Sequence, residues 1–130
     1  MSIKERMQEL NNMPGLTLSL TDEETRLYQV SVEDCEEFPI FIREDDEEIN
    51  CITYLFDESE VNPESRCEML EAMLCLNIPL PLSSFGKVGP RYILYGALNK
   101  NASSEDLFHE VQALSNNTLE AIEALRDYLK

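Results

Sequence analysis

One histidine, four cysteines and two dense acidic runs are the residues of this chain that could carry chemistry. His109 lies between Phe108 and Glu110 in a run of helical periodicity, where a general base is conceivable. A base needs a partner at a defined spacing. The sequence holds no GxSxG, no HExxH, no glycine-rich phosphate loop and no cysteine in a nucleophile context, so His109 is not expected to be catalytic.

The runs Glu33-Asp34-Cys35-Glu36-Glu37 and Glu44-Asp45-Asp46-Glu47-Glu48 offer the clustered carboxylate oxygens that calcium and magnesium require. They lack the alternating ligands, the turn glycine and the distant bidentate glutamate of an EF-hand, and like-charge blocks of this kind are expected to be solvated turns. An acidic divalent-ion binder stays an alternative. So does a carboxylate-based hydrolase, which would need two acids converging in one pocket with separated pKa values. Cys35, Cys51, Cys67 and Cys75 show no CxxC spacing and are read as small buried apolar residues of a reducing compartment, without zinc. No cofactor or metal is expected. Gly86-Lys87-Val88-Gly89 is read as hairpin punctuation and not as a nucleic-acid clamp, because the surrounding charge is wrong for RNA.

That charge is lopsided: 26 acidic residues stand against 10 Lys and Arg, a formal net charge of -16. Such a surface repels polyanions, and no basic stripe exists to neutralise phosphates or anionic lipid headgroups. The first 66 residues hold 18 acids and 5 bases, and the last 64 hold 8 and 5. One end or edge of the fold should therefore be strongly negative, steering basic partners or blocking edge-to-edge aggregation, the latter being favoured. The N-terminus lacks the apolar run of a signal peptide and no stretch approaches a membrane span, so the expected location is the cytoplasm.

A single domain over residues 1–130 must position these groups, because the 130 residues show no repeat or linker and 43% of them are hydrophobic. Ser2 and Glu5 read as a capping box before Ile3, Met7 and Leu10, and Pro14-Gly15 ends that helix. From Leu16 the period becomes two, with Leu16, Leu18 and Leu20 on one face, and Asp22-Glu23-Glu24 forms a polar turn. Strands follow over 27–32, over 38–42 with Pro39 implying an edge or a distorted start, and over 49–56 at the sheet centre. Asn62-Pro63-Glu64 starts a second helix whose stripe is Cys67, Leu70, Met73 and Leu74, and Asn77 with Pro79 and Pro81 stops it.

A hairpin follows, turning through the glycines 86 and 89 into a strand over 92–98 with bulky residues on both faces. Ser103 caps a long last helix in which Leu107, Val111, Leu114, Thr118, Ile122, Leu125 and Leu129 keep register past a possible kink at Asn116-Asn117. The fold class is α+β: an antiparallel sheet with helices on one face, in the order helix, three or four strands, helix, two-stranded hairpin, long helix.

The segment Pro79-Leu80-Pro81-Leu82-Ser83-Ser84-Phe85-Gly86-Lys87-Val88-Gly89, followed by the strand over 92–98, resembles an uncharacterised bacterial family typified by YjfI. The resemblance spans nearly the whole chain. It implies a cytoplasmic bacterial protein, often encoded near a phage-shock-protein-A-like membrane-stress protein, which makes such a coiled-coil protein a candidate partner. It carries over no catalytic residue. The element order is also similar to type III secretion chaperones and YbjN-like proteins, small acidic domains that often dimerise and bind segments of other proteins. A fourth strand before the second helix would be a departure from them, and no secretion-specific motif is present.

The expected function is that of a non-enzymatic, chaperone-like protein-binding module. Leu76, Ile78, Leu80 and Leu82 are expected to pack into the core, and only exposure would make them an interaction patch. The candidate contact residues are Tyr92, Leu94, Tyr95, Leu80, Leu82 and Phe85. A homodimer is also expected, with the last helix or the strand over 92–98 in the contact. Ile93, Tyr95 and Ala97 face away from Tyr92, Leu94 and Leu98, and helices on one side of a sheet cannot cover both sets.

Overall fold

The computed structural model describes residues 2–22, 24 and 27–130, so the turn expected at Asp22-Glu23-Glu24 falls partly outside the described residues. Helix α1 (Ile3–Asn11) starts where the Ser2 hydroxyl accepts the Glu5 N–H at 3.2 Å, and its Ile3, Met7 and Leu10 point inward. Four strands follow, β1 (Leu16–Asp22), β2 (Leu27–Val32), β3 (Ile40–Glu44) and β4 (Glu48–Asp57), before helix α2 (Arg66–Leu76). A hairpin of β5 (Ser84–Val88) and β6 (Arg91–Asn99) leads into α3 (Ser104–Leu125) and a closing 3-10 turn (Arg126–Tyr128). Gly89 makes the hairpin turn possible at φ 57°, a region closed to most side chains.

All pairings are antiparallel and the strand order is β1-β2-β3-β4-β6-β5. β4 therefore lies inside the sheet, with Ile49, Cys51, Thr53 and Leu55 buried on alternate positions. β3 is also interior, which corrects the edge placement: Pro39 stands just outside the strand, so its missing N–H costs no ladder bond. Its carbonyl instead accepts the Thr53 hydroxyl at 3.1 Å. In β1 the alternation breaks at a bulge between Leu18 and Leu20, after which Leu20 pairs with Gln29.

The helices cover one face of this sheet. α3 packs over β4 and β6, α1 packs against α3 and β1, and α2 lies beside the closing 3-10 turn. The chain end is stitched in by a Val61–Leu129 bridge, with N–H bonds from Asn62 to the Tyr128 carbonyl and from Lys130 to the Glu60 carbonyl. Leu107, Val111, Leu114 and Leu125 of α3 are fully buried, each contributing about 1.5–3 kcal/mol of apolar burial. α3 runs unbroken through Asn116-Asn117, because Asn117 turns inward and spends its amide on the Pro81 carbonyl at 2.8 Å and the Ser83 hydroxyl at 3.0 Å.

Three expectations about burial are overturned. The inward side of α2 is Met69 and Met73, while Cys67 and Leu74 of the expected stripe are exposed. Cys35 and Cys51 are buried, whereas Cys67 and Cys75 are exposed. Ile78 and Leu82, expected in the core, are 88% and 62% exposed: the connection between α2 and β5 is held to α3 by polar groups, Pro81 and Ser83 on Asn117, and these two side chains are left in water.

Candidate protein-binding site

Three exposed large apolar side chains, Leu74, Ile78 and Leu82, lie on α2 and the connection that leads from it to the edge strand β5. A 3-10 turn (Pro63–Ser65) leads into α2; Asn62 caps it by accepting the Glu64 N–H at 3.2 Å, and Pro63 fixes its first residue, so the helix expected from Asn62 onward begins only at Arg66. One turn of helix separates Met69 from Met73, and both anchor the helix to the core. Leu70 and Leu74 lie one step round the helix from them, so they form the rim over β5, with Leu74 70% exposed. Between this rim and the hairpin lies a cavity of about 310 Å³, walled by Leu70, Met73, Leu74, Phe85 and Tyr92. Ile78 continues the Leu70, Leu74 series at the helical spacing of four, giving an outward apolar ridge past the end of α2.

Polar groups fix both ends of the groove. At one end Glu58 accepts hydrogen bonds from Arg66 Nε at 2.8 Å, Lys87 Nζ at 3.2 Å and the Tyr92 hydroxyl at 2.9 Å. The Arg66 bond above all, with Tyr92 and Lys87, holds the Glu58 carboxyl down at a pKa of about 2, and Arg66 is raised in return. Burial and then the Glu58 bond raise the Tyr92 hydroxyl, while Lys87 sits 5.1 Å from the Tyr92 ring centroid. At the other end Asn77 Oδ1 accepts the Phe85 N–H at 2.7 Å, tying the end of α2 to β5. Such a site has apolar walls, a cation at its mouth and an open strand edge beside it, the chemistry of a surface that holds an apolar segment of another chain.

The candidate contact residues separate in space. Tyr92 and Phe85 wall the groove from the buried side. Leu82 is exposed and Leu80 half-buried on the connection that extends the ridge. Tyr95 is exposed on the opposite face of the sheet, 41% accessible. Leu94 is 0% exposed in the core and leaves no surface for a partner. Leu70, Met73, Leu74, Ile78, Glu58 and Lys87 were not singled out as contacts. Helical spacing marks Cys67, Leu70, Met73 and Leu74 as an apolar stripe and Ile78 as an apolar residue of the connection, but spacing alone does not tell an outward ridge from an inward one.

The other candidate chemistries take less shape. His109 is exposed on α3. Asp45 accepts the N–H groups of Glu47 and Glu48, each at 2.8 Å, and the Asn50 amide, so backbone bonds first of all lower its carboxyl pKa and the second acidic run closes as a turn. Asp34 N–H donates to Glu36 within the first run. Among the described residues no three His, Cys, Asp or Glu side chains gather as a metal site requires, and no helix is long and apolar enough to cross a membrane.

A family model described as an uncharacterized protein conserved in bacteria, DUF2170, matches residues 2–129. The chain belongs to that family. No curated protein sequence matches it. Among solved structures, an uncharacterized protein from Methanothermobacter thermautotrophicus is similar with a TM-score of 0.69 at 15% identity, covering 98% of this chain and 99% of that one. YbjN from E. coli is similar with a TM-score of 0.67 at 12% identity, covering 95% and 91%. A chain of the HopA1-SchA chaperone-effector complex is similar with a TM-score of 0.61 at 16% identity, covering 92% and 88%. These likenesses place the DUF2170 chain in a fold that at least one chaperone-effector complex uses.

Proposed function

We propose that this DUF2170 chain is a non-enzymatic, chaperone-like module of the bacterial cytoplasm that holds an apolar segment of another protein against α2 and β5. The observation that carries the reading is the exposure of Leu74, Ile78 and Leu82, large apolar side chains left in water on α2 and the connection after it, with Leu74 on the wall of the groove. The fold shared with a chain of a chaperone-effector complex supports it. The partner is a phage-shock-protein-A-like coiled-coil protein, following the resemblance to YjfI-like proteins, and an amphipathic helix of such a protein would lay its apolar side along the ridge. The chain works as a homodimer.

Titration calorimetry of the purified chain with a purified phage-shock-protein-A-like protein from the same host tests the reading. Saturable binding is expected, weakened at least about tenfold by the paired substitution Leu74→Asp and Ile78→Asp. Absence of heat with the unaltered chain, or binding indifferent to that pair, would sink it.

A further inference from the structure

The sheet face turned away from the helices carries its own pattern. Register and burial place Phe41, Ile52, Tyr54, Ile93, Tyr95 and Val88 on it together. Phe41 and Tyr54 pack edge to face with centroids 5.6 Å apart. The Tyr95 ring lies across Gly86, where a Cβ would meet its Cε1 at 3.0 Å. From β2 to β6, every outward position between the Glu48 and Asp57 ends of the sheet is uncharged or an arginine. That is an unusual stretch in a chain where 26 of 130 residues are acidic. Its arginines, Arg43 and Arg91, are exposed; each acts at a distance on a carboxylate of its own chain, Arg43 on Asp45 and Arg91 on Asp57, without an ion pair at contact distance among the described residues, and Arg91 rests on the Tyr54 ring at 3.7 Å.

We propose that this face is where a second copy of the chain packs, sheet against sheet, about a two-fold axis lying between the sheets and perpendicular to the strands. Two bodies of charge -16 can approach closely only where carboxylates are absent, and at physiological salt charges more than about 8 Å away are screened. Between its Glu48 and Asp57 ends the face meets that condition. The β4–β6 ladder has Asp57 paired with Arg91 at one end and Glu48 with Asn99 at the other. The two-fold brings the first end of one copy over the second end of its partner, so each Arg91 meets a glutamate at position 48 across the interface. Asp57 stays at the rim, accepting the Ser59 N–H at 2.9 Å. Five strands at about 4.8 Å spacing and up to ~30 Å long offer on the order of 600 Å² of plane, near the ~800 Å² per partner of a stable interface. Burial of Tyr95, 41% exposed, supplies the apolar centre, and Val88, 49% exposed, is covered beside Arg91 at the edge strand. The proposal rests only on the dimeric part of the preceding reading and leaves the α2 groove free for another protein.

Sedimentation equilibrium of the full chain at micromolar concentration and physiological salt decides it. The unaltered chain is expected to be dimeric. Tyr95→Asp releases monomers, and Arg91→Glu weakens the dimer about tenfold or more. Adding Glu48→Arg to Arg91→Glu restores most of that loss, because the reversed charges meet again across the two-fold. The pair Leu74→Asp and Ile78→Asp leaves the dimer intact while abolishing partner binding, which separates failure of one proposal from failure of the other. A monomeric unaltered chain would overturn the idea. So would a dimer broken at Leu74 and Ile78 but not at Tyr95, loss of partner binding without loss of the dimer in Tyr95→Asp, or a double charge reversal that stays as weak as Arg91→Glu alone.

Discussion

Glu110 occupies the space that a side chain at Gly96 would need: a Cβ on residue 96 would lie 1.8 Å from Glu110 Oε1 and 2.8 Å from the Leu82 carbonyl oxygen. Gly96 is therefore required for α3 and the Leu82 connection to close on β6. Gly96→Ala should cost about 1–3 kcal/mol as overpacking in a dense interior, measured by urea unfolding. Adding Glu110→Ala should recover only part of that, since the backbone oxygen of Leu82 remains in the way. A neutral Gly96→Ala would show that the contact yields without strain.

Two carboxyls should bend stability against pH in opposite directions. Burial pushes Glu110 above the usual 4.5, and its Oε1 finds no hydrogen-bond partner among the described residues. The folded state therefore keeps that proton longer than the unfolded chain does. Its contribution is full below the unfolded value and is lost as pH rises through the folded one. Glu58, held at about 2, contributes above 4.5 and loses that contribution as pH falls toward 2. Urea midpoints across pH should lose their alkaline-going decline above 4.5 in Glu110→Gln and part of their acid decline below 4.5 in Glu58→Gln. Unchanged profiles in both would contradict the assigned environments.

Neighbouring positions on α2 should behave very differently. Met73→Ala removes a buried anchor and should cost about 2–5 kcal/mol. Leu74→Ala, one residue on, removes an exposed side chain and should stay within about 0.5 kcal/mol by the same denaturation measurement. Equal losses would mean that Leu74 is packed and that the ridge is not a free surface.

Thiol labelling of the folded chain should count two fast cysteines, Cys67 and Cys75, and two that react only after denaturation, Cys35 and Cys51. Burial, and then the nearby Glu110, pushes the Cys51 thiol up, so the thiolate that would react is suppressed there. Four fast thiols under native conditions would show that the core opens readily.

Local signals in the sequence were enough for element type and order. The period-two run of β2, the asparagine and proline of the turn that leads into α2, the serine cap of α3 and the glycine turn before β6 each act within a few residues of chain, where backbone sterics and capping are decided. The resulting α+β class, with helices on one face, followed from them. Which side of α2 faces inward did not. Leu70, Met73 and Leu74 are similar in hydrophobicity, and the choice was made by the buried anchors Met69 and Met73 and by the Glu58 cluster that joins α2 to β5 and β6. The place of β3 inside the sheet and the exposure of Ile78 and Leu82 were likewise set by long-range pairing, whereas the separation of Tyr95 from Tyr92 follows from strand alternation alone. Adjacent residues of a strand point to opposite faces, and only the packing of α3 over Gly96 fixes which of those faces is covered and which is left bare.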